Sequence, residues 1–399
     1  MSLLEKIRKK KNGLSGYSSS YGYFVYPKLT GLLKNRMIFN EKEMIVWSIN
    51  DYLGLTCDER VIKADTETVK EFGVGYPAGS RLLTGNTEYH ELLESEISKL
   101  IGKSTLILNL GYPGIVSIVQ SLVDRNDTII YDKEVHASLI DGVKLHLGNR
   151  FPFNHNNIEH LQNRLEKVQS KRKEGSEVLV IVDGVFSMRG DVAKLKEIVN
   201  LKKTYDFTLL VDDAHGFQVF GEQGSVGYLD VMKSVDIYIG TFGKALGTAG
   251  GFVSANKDIV EYFKYNLRSQ IFGKSLLLVN VMSILFKLDL LKAEGECRRK
   301  KLWNNTNSLQ SGLQERGFNI GDTCSPITPV YIEGSEEIAG NFIRDAREDF
   351  GVFCSGVVYP VIPKGKIIIR LVVTSSHTNE DIKQTLNAFS ELKNRHINY

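Results

Sequence analysis

Cysteine is scarce and scattered: four residues in 399, at positions 57, 297, 324 and 354, with no Cys-x-x-Cys pair. This spacing supplies neither a structural zinc site nor a disulfide framework and points to a reducing, cytoplasmic setting. An excess of one charge is also missing. Fifty Lys and Arg face 47 Asp and Glu, a formal +3 spread along the chain, which argues against a nucleic-acid partner. The one local basic run, Lys171-Arg172-Lys173, is followed by Glu174-Gly175 and reads as a solvated loop. Long apolar runs are absent too. No stretch approaches the roughly 20 residues needed to cross a bilayer, so no transmembrane segment is expected and any membrane association would be peripheral. The start, Met1 to Lys11, is charged and lacks the apolar centre of a signal peptide. There is no internal repeat, no low-complexity tract and no metal-ligand spacing.

What is present is a pattern of short β-branched runs separated by helix-length spacers. They are Thr105–Leu108, Thr128–Tyr131, Val178–Val182, Thr208–Val211, Val235–Gly240 and Gly251–Ser254. Such nearly continuous apolar runs predict a mostly parallel sheet covered on both faces, an α/β fold. Before them, Ile62, Val69 and Phe72 recur at helical spacing ahead of a stop at Gly73, and Tyr89, Leu93, Ile97 and Leu100 do so ahead of Gly102. A helical stretch from Ile259 to about Glu294 follows the sheet. Strands at Ile327–Ile332 and Lys366–Val373 and a closing helix marked by Ile382, Leu386, Phe389 and Leu392 then suggest a smaller α+β domain. At this length one core stops growing, so the expected division is an N-terminal segment 1–58, a large α/β domain 59–295 and a small C-terminal domain 296–399. Residues 13 to 36, rich in Gly, Ser and Tyr, read as an arm or a segment packed on a partner.

Chemistry concentrates in two motifs at strand ends: Val211-Asp212-Asp213-Ala214-His215-Gly216, and about thirty residues on, Gly240-Thr241-Phe242-Gly243-Lys244-Ala245-Leu246-Gly247. The carboxyl ends of strands in an open α/β sheet are where ligands bind. A lysine flanked by small residues and partly desolvated yields its proton more readily, and the neutral amine can add to an aldehyde. An aspartate from a neighbouring strand can pair with a protonated pyridine nitrogen and keep the ring an electron sink. His215, three residues after Asp212, stands at the same end. Gly111-Tyr112 follows a strand and opens a helix, offering free N–H groups and a positive dipole end to a phosphate, to which Thr241 can add its hydroxyl.

With these residues in place, the chain resembles the α-oxoamine synthases. This branch of the fold-type-I pyridoxal-phosphate enzymes includes serine palmitoyltransferase, 8-amino-7-oxononanoate synthase and 2-amino-3-ketobutyrate coenzyme A ligase. The resemblance runs from about Trp47 to His377. It implies an aspartate-aminotransferase-like fold, pyridoxal 5'-phosphate (PLP) as cofactor, and a homodimer with shared active sites. Asn50-Asp51-Tyr52-Leu53-Gly54-Leu55 looks like the segment whose asparagine contacts the substrate carboxylate, and Gly79-Ser80-Arg81-Leu82-Leu83-Thr84-Gly85 like the one at the site's mouth. Within Tyr131–Ser138, His136 matches the histidine that stacks on the pyridine ring. Ser187, in Asp183–Met188, matches the serine that reaches the ring hydroxyl. Arg370, seven residues before His377, matches the arginine that binds the amino acid's carboxylate through its planar fork. Ser275 keeps the hydroxyl by which the partner subunit reaches the phosphate. Gly73-x-Gly75-x-x-Ala78 resembles a dinucleotide fingerprint but follows a helix, so that reading fails.

The implied reaction is decarboxylative condensation of an amino acid with a fatty acyl thioester, carried on coenzyme A or an acyl carrier protein. Lys244, Asp212 and His136 would be the catalytic residues. The C-terminal half is most similar to serine palmitoyltransferases, notably Leu302-Trp303, Gly317–Gly321 and Ser325-Pro326-Ile327, which implies a long-chain acyl donor. Two added cations, Arg189 where relatives commonly carry an acid and Lys274 in Ile271–Leu277, bring L-cysteate beside L-serine as the expected amino acid. Alanine or glycine, used by the other synthases, and plain aminotransfer are the alternatives.

Overall fold

The structure, a computed structural model, describes residues 1–9, 20–358 and 367–397. It divides into two units, one of Met1–Ile49, Met188–Gly190 and Lys301–Tyr399, the other of Asn50–Ser187 and Asp191–Lys300. Much of the expected arm, including Gly13, Ser15 and Tyr17 to Ser19, lies outside the described residues.

In the first unit, β1 (Arg36–Phe39) and β2 (Lys42–Val46) form an antiparallel hairpin. The second unit is built on a seven-stranded sheet: β3 (Ser104–Leu108), β4 (Thr128–Asp132), β5 (Asn149–Phe153), β6 (Val178–Asp183), β7 (Thr208–Asp212), β8 (Ile237–Thr241) and β9 (Gly251–Ala255). Their order is β3-β9-β8-β7-β6-β4-β5, and only β9 runs against its neighbours. The fold class therefore matches the expected one. β6, Val-Leu-Val-Ile-Val-Asp, is buried at every position because helices cover both faces of the sheet, which is why it reads as a continuous apolar run. β5, Asn-Arg-Phe-Pro-Phe, escapes such a reading. It is an edge strand, mostly exposed, and Pro152 sits where an edge tolerates a missing N–H.

The remaining strands belong to the first unit: β10 (Ile327–Tyr331), β11 (Val352–Phe353), β12 (Ser355–Val357) and β13 (Ile368–Val372). β13 lies between β10 and β12, antiparallel to both, while β11 joins β2 in parallel. The closing helix, Asn379–His396, buries Ile382, Leu386, Phe389 and Leu392 as its spacing predicts, and Thr378 with Asp381 forms a capping box at its start. Two helix expectations need correction. Ile62 is exposed, and the helix Glu59–Phe72 buries Val61 and Thr68 instead. The stretch after residue 259 is three helices, Lys257–Asn266, Arg268–Ile271 and Leu278–Glu315, the last running well past Glu294. Among the described residues no helix is long and apolar enough to cross a membrane.

In the first unit, Trp47 stacks on His377 at 3.9 Å and nearly parallel. The His377 Nδ1 accepts the Thr374 N–H, so its Nε2–H faces the Val46 carbonyl at 3.2 Å. Burial lowers this imidazole to about 4 and keeps it neutral. Arg347, fully buried, donates to the carbonyls of Tyr23 and Cys354 amid the rings of Tyr23, Phe24, Phe39 and Phe353, at 4.1 to 5.6 Å from each.

Candidate active site

In the second unit, parallel pairing sets the carboxyl ends of β4, β6, β7 and β8 side by side, with Asp183 directly opposite Asp212 in register. Each strand ends in a polar residue there: Asp132, Asp183, Asp212 and Thr241. Around the last three opens a pocket of about 300 Å³, at the small end of the size usual for a cofactor site. Gly111, Tyr112, His136, Ser187, Asp212, His215, Thr241 and Lys244 line it, so eight of the expected residues come together. A larger cavity, about 640 Å³, contains Arg81, but that side chain is held by Asn86 and Glu94.

The helix Gly111–Leu122 starts without a side-chain cap, and Pro113 has no N–H, so the amides of Gly111 and Tyr112 are the donors at its positive end. Thr241 donates its hydroxyl to the Gly250 carbonyl at 3.1 Å and accepts the Gly243 N–H at 3.2 Å, fixing the loop that carries Lys244. Gly247 closes that loop in a left-handed conformation, against the Thr56 hydroxyl, where a Cβ would not fit.

His136 caps the helix Ala137–Leu145. Its Nδ1 takes the Ser138 N–H at 3.3 Å and lies 2.8 Å from the Ser138 hydroxyl, while its backbone N–H donates to the Asp183 carboxylate at 3.2 and 3.3 Å. Burial, then the nearby Lys244 charge, lowers its proton affinity, so the ring is neutral and offers an uncharged face. His215 Nδ1 lies 2.8 Å from the buried Tyr52 hydroxyl.

The acids are unusual. Burial raises Asp212 to about 6, although the Ala214 N–H at 3.1 Å and Lys244 pull it down. Asp183 is raised well above the normal range by burial and by the Asp212 charge. Asp213 is raised by burial to about 7, against bonds from the Ser225 hydroxyl and N–H and the Tyr238 hydroxyl. Gly184, Gly216 and Gly224 surround the Asp213 carboxylate so closely that a Cβ on any of them would overlap it. Of these acids Asp183 and Asp212 line the pocket, where a carboxylate can meet a cation, while Asp213 is engaged by Ser225 and Tyr238 behind it.

Sequence reasoning missed a second layer. His155, just past β5, bridges Asp132 (Nδ1, 3.1 Å) and Asp191 (Nε2, 2.7 Å). Asp132 also accepts the Glu134 and Asn156 N–H groups at 2.8 Å, and Asn156 Nδ2 donates to Asp191. To donate at both nitrogens the imidazole must be charged. Burial lowers its proton affinity, but the two carboxylates outweigh that and carry it up to about 9. This imidazolium ties the loop leading to His136 to the segment that resumes at Asp191. No periodicity signals it; the only cue is a histidine just beyond an edge strand.

Four expected residues do not line the pocket. Ser275 is buried with its hydroxyl 3.1 Å from His90 Nε2, and its N–H donates to the Gly79 carbonyl. Asn50 keeps a buried Oδ1 without a hydrogen-bond donor. Arg81 is paired as described. Arg370 belongs to the first unit, in the middle of β13, opposite Pro329 and Ser355. Of the two added cations, Lys274 is exposed and Arg189 half-buried.

The residues of the pocket fit PLP: an uncapped helix start for its phosphate, a neutral ring to face its own, a raised carboxyl to meet its pyridine nitrogen, and an amine for its aldehyde. Comparison with known proteins agrees. Residues 42–389 match the family described as aminotransferase class I and II. A cysteate-C-fatty acyltransferase of Capnocytophaga ochracea is 46% identical over 398 residues, 98% of this chain and 94% of the relative. Among solved structures, a Sphingomonas wittichii serine palmitoyltransferase superposes with a TM-score of 0.91 at 28% identity, covering 99% of both chains. Another serine palmitoyltransferase, solved with PLP, gives 0.87 at 29% identity over 98% of this chain and 97% of its own. The chain thus belongs to the class I and II aminotransferase family, in its PLP-dependent α-oxoamine synthase branch.

Proposed function

We propose that this protein condenses L-cysteate with a long-chain fatty acyl thioester, releasing carbon dioxide and the free thiol and leaving a 3-oxo amino sulfonate lipid. The observation that carries the choice of amino acid is the 46% identity, over nearly the whole chain, to a relative named for cysteate. Relatives named for serine palmitoyltransfer share less: 36% for the one from Sphingobacterium spiritivorum, and 28% to 29% for the solved neighbours.

PLP, when bound, supplies an electron sink for the electrons released at the amino acid's α-carbon. The rest falls to the chain's own residues. The amides of Gly111 and Tyr112 would hold the phosphate at the helix start, joined by the Thr241 hydroxyl once its proton turns from the Gly250 carbonyl. Buried Asp212 would meet the ring nitrogen and keep it protonated, neutral His136 would cover the ring face, and Ser187 and His215 would orient its edge. The Lys244 amine, once free, removes the α-proton and later returns one. Asn50 and Arg370 are assigned to the amino acid's carboxylate, Arg81 to the mouth, Ser275 to the phosphate, and Arg189 and Lys274 to the sulfonate. The enzyme is assigned a homodimeric state, which light scattering would test. It would take its acyl group from coenzyme A or an acyl carrier protein, which parallel assays separate.

The test is a panel of α-deuterated cysteate, serine, glycine and alanine offered to the holoenzyme with and without palmitoyl thioester. Cysteate should lose its deuterium fastest and yield a condensed product by mass spectrometry. Fast exchange and condensation of serine with none of cysteate would replace cysteate by serine. Lys244→Ala should abolish exchange with every amino acid, a loss on the order of 10³-fold or more, while the fold is retained.

A further inference from the structure

At the opposite, amino-terminal end of the strands of the same sheet lies a second concavity that the proposed reaction does not use. It measures about 350 Å³ and opens where β4, β5 and β6 begin, at Thr128, Asn149 and Val178. Six cations line it: Arg125, Arg164, Lys167, Lys171, Arg172 and Lys173. They face one carboxylate, Glu177. The run Lys171-Arg172-Lys173, a solvated loop when read alone, is therefore one wall of a cleft whose other walls are also basic.

The local acids are already committed. Glu177 pairs with Arg172 at 3.0 Å, and Arg172 also holds the Ser176 carbonyl at 2.6 Å and Asp206 at 2.9 Å, which braces the loop. Asp127 beneath it spends both oxygens on backbone amides, those of Glu177 and Asp124, each at 2.7 Å. Among the described residues, the other five cations have no carboxylate within ion-pair distance. Arg164 is the most telling. Its guanidinium lies 5.7 Å from the centre of the Phe151 ring, and its Nε is sealed from solvent with no acceptor. Leaving a buried charged donor unmet is costly, and crowding like charges into a concave site focuses a field that an anion relieves.

We propose that this cleft is a binding site for a phosphate-bearing ligand, whose oxygens are taken by the guanidinium of Arg164 and the ammonium of Lys167. Phosphate suits the cleft because a compact dianion offers several acceptors to one fork and neighbouring point charges at once. The ligand is not the reacting acyl donor. Strands of five or six residues at about 3.3 Å each put roughly 15 Å of packed sheet between this end and the Lys244 pocket. The phosphate can come from a free metabolite or from a lipid headgroup, and the experiment separates the two.

PLP-saturated protein, whose cofactor site is filled, is titrated with inorganic pyrophosphate by calorimetry at low salt and sedimented with phosphatidylglycerol vesicles. One saturable pyrophosphate site is expected for the free-phosphate source; vesicle binding without it points to a headgroup. Arg164→Gln/Lys167→Gln should weaken whichever binding is seen by on the order of tenfold or more, the loss of charge-assisted bonds. Lys171→Gln/Lys173→Gln, confined to exposed side chains, should weaken it less and covers the case in which the first variant misfolds. Lys63→Gln/Lys70→Gln, an equal charge change on the exposed face of the helix Glu59–Phe72, should bind like the wild type. Absence of both pyrophosphate and vesicle binding, or equal loss in all three variants, overturns the proposal.

Discussion

One buried cation in the first unit and one cluster of buried acids in the second put desolvation to opposite uses. The first encloses one cation, Arg347, in four aromatic rings and two carbonyls. The second encloses acids, Asp183, Asp212 and Asp213, at neighbouring strand ends. A guanidinium remains charged under any ordinary condition, so Arg347 can only hold structure: it joins the Tyr23 segment to β11 and switches nothing. A carboxyl whose proton affinity burial has raised into the neutral range can gain or lose its proton at small cost, which is what a site handling a pyridine nitrogen requires. The same penalty, desolvation, builds a rigid joint in one unit and a poised group in the other.

The largest effect that would sharpen this contrast is expected from Asp212→Asn. It removes the charge that meets the ring nitrogen, and kcat should fall on the order of 10²-fold or more while the melting temperature stays level or rises, since an unfavourably buried acid is gone. A melting temperature that collapses along with kcat would make Asp212 a structural residue and break the contrast. Arg347→Met should do the reverse. Stability should drop by about 3 kcal/mol as two carbonyls lose a charged donor, with turnover per folded molecule unchanged, read by denaturant melts alongside active-site titration.

The pH dependence of the cofactor-free protein comes next. Asp212 and Asp213 have proton affinities raised above their unfolded values, so the native chain holds protons that the unfolded chain releases, and stability declines as pH rises from about 4 towards 7. His155 acts at higher pH. Its contribution is complete below its unfolded value near 6.5 and is lost as pH rises through about 9, a change of about 3 kcal/mol. Melting curves between pH 6.5 and 9.5 should show that loss, and His155→Asn should flatten it. The smallest effect is expected from Tyr52→Phe. Losing the 2.8 Å bond to His215 should cost about 1 kcal/mol, seen as a few-fold weaker PLP affinity with little change in the melt.

How far the sequence speaks depends on which physical force shaped each element. β6 and β7 are legible because burial on both faces leaves only apolar residues until the terminal aspartate, and the Asp212 and Lys244 motifs follow from where such strands stop. β5 is not, because an edge strand faces water and its composition, with Pro152, is that of a loop. His155 could not be found for the same reason: its meaning lies in Asp132 and Asp191, residues brought to it by parallel pairing and a long return of the chain. The basic loop at 171–173 is legible as a charge run, but its spacing does not show that Arg164 and Lys167, on the helix leading into it, face the same cleft as Arg125 from the turn before β4. Linear spacing records neighbours along the chain, and these sites are made of neighbours across the sheet.

The three glycines pressed on Asp213 bear on any effort to redesign the enzyme. Gly184 follows β6, Gly216 lies in the turn after β7 and Gly224 opens the helix Gly224–Tyr228, yet none can accept even a methyl group while the aspartate remains. Shrinking residue 213 would not free them all, because Ser225 Oγ also crowds Gly184, and Gly224 has φ +69° with the Tyr238 hydroxyl and the Phe217 backbone N close by. A library meant to change the amino acid substrate should therefore hold all four constant and spend its diversity elsewhere.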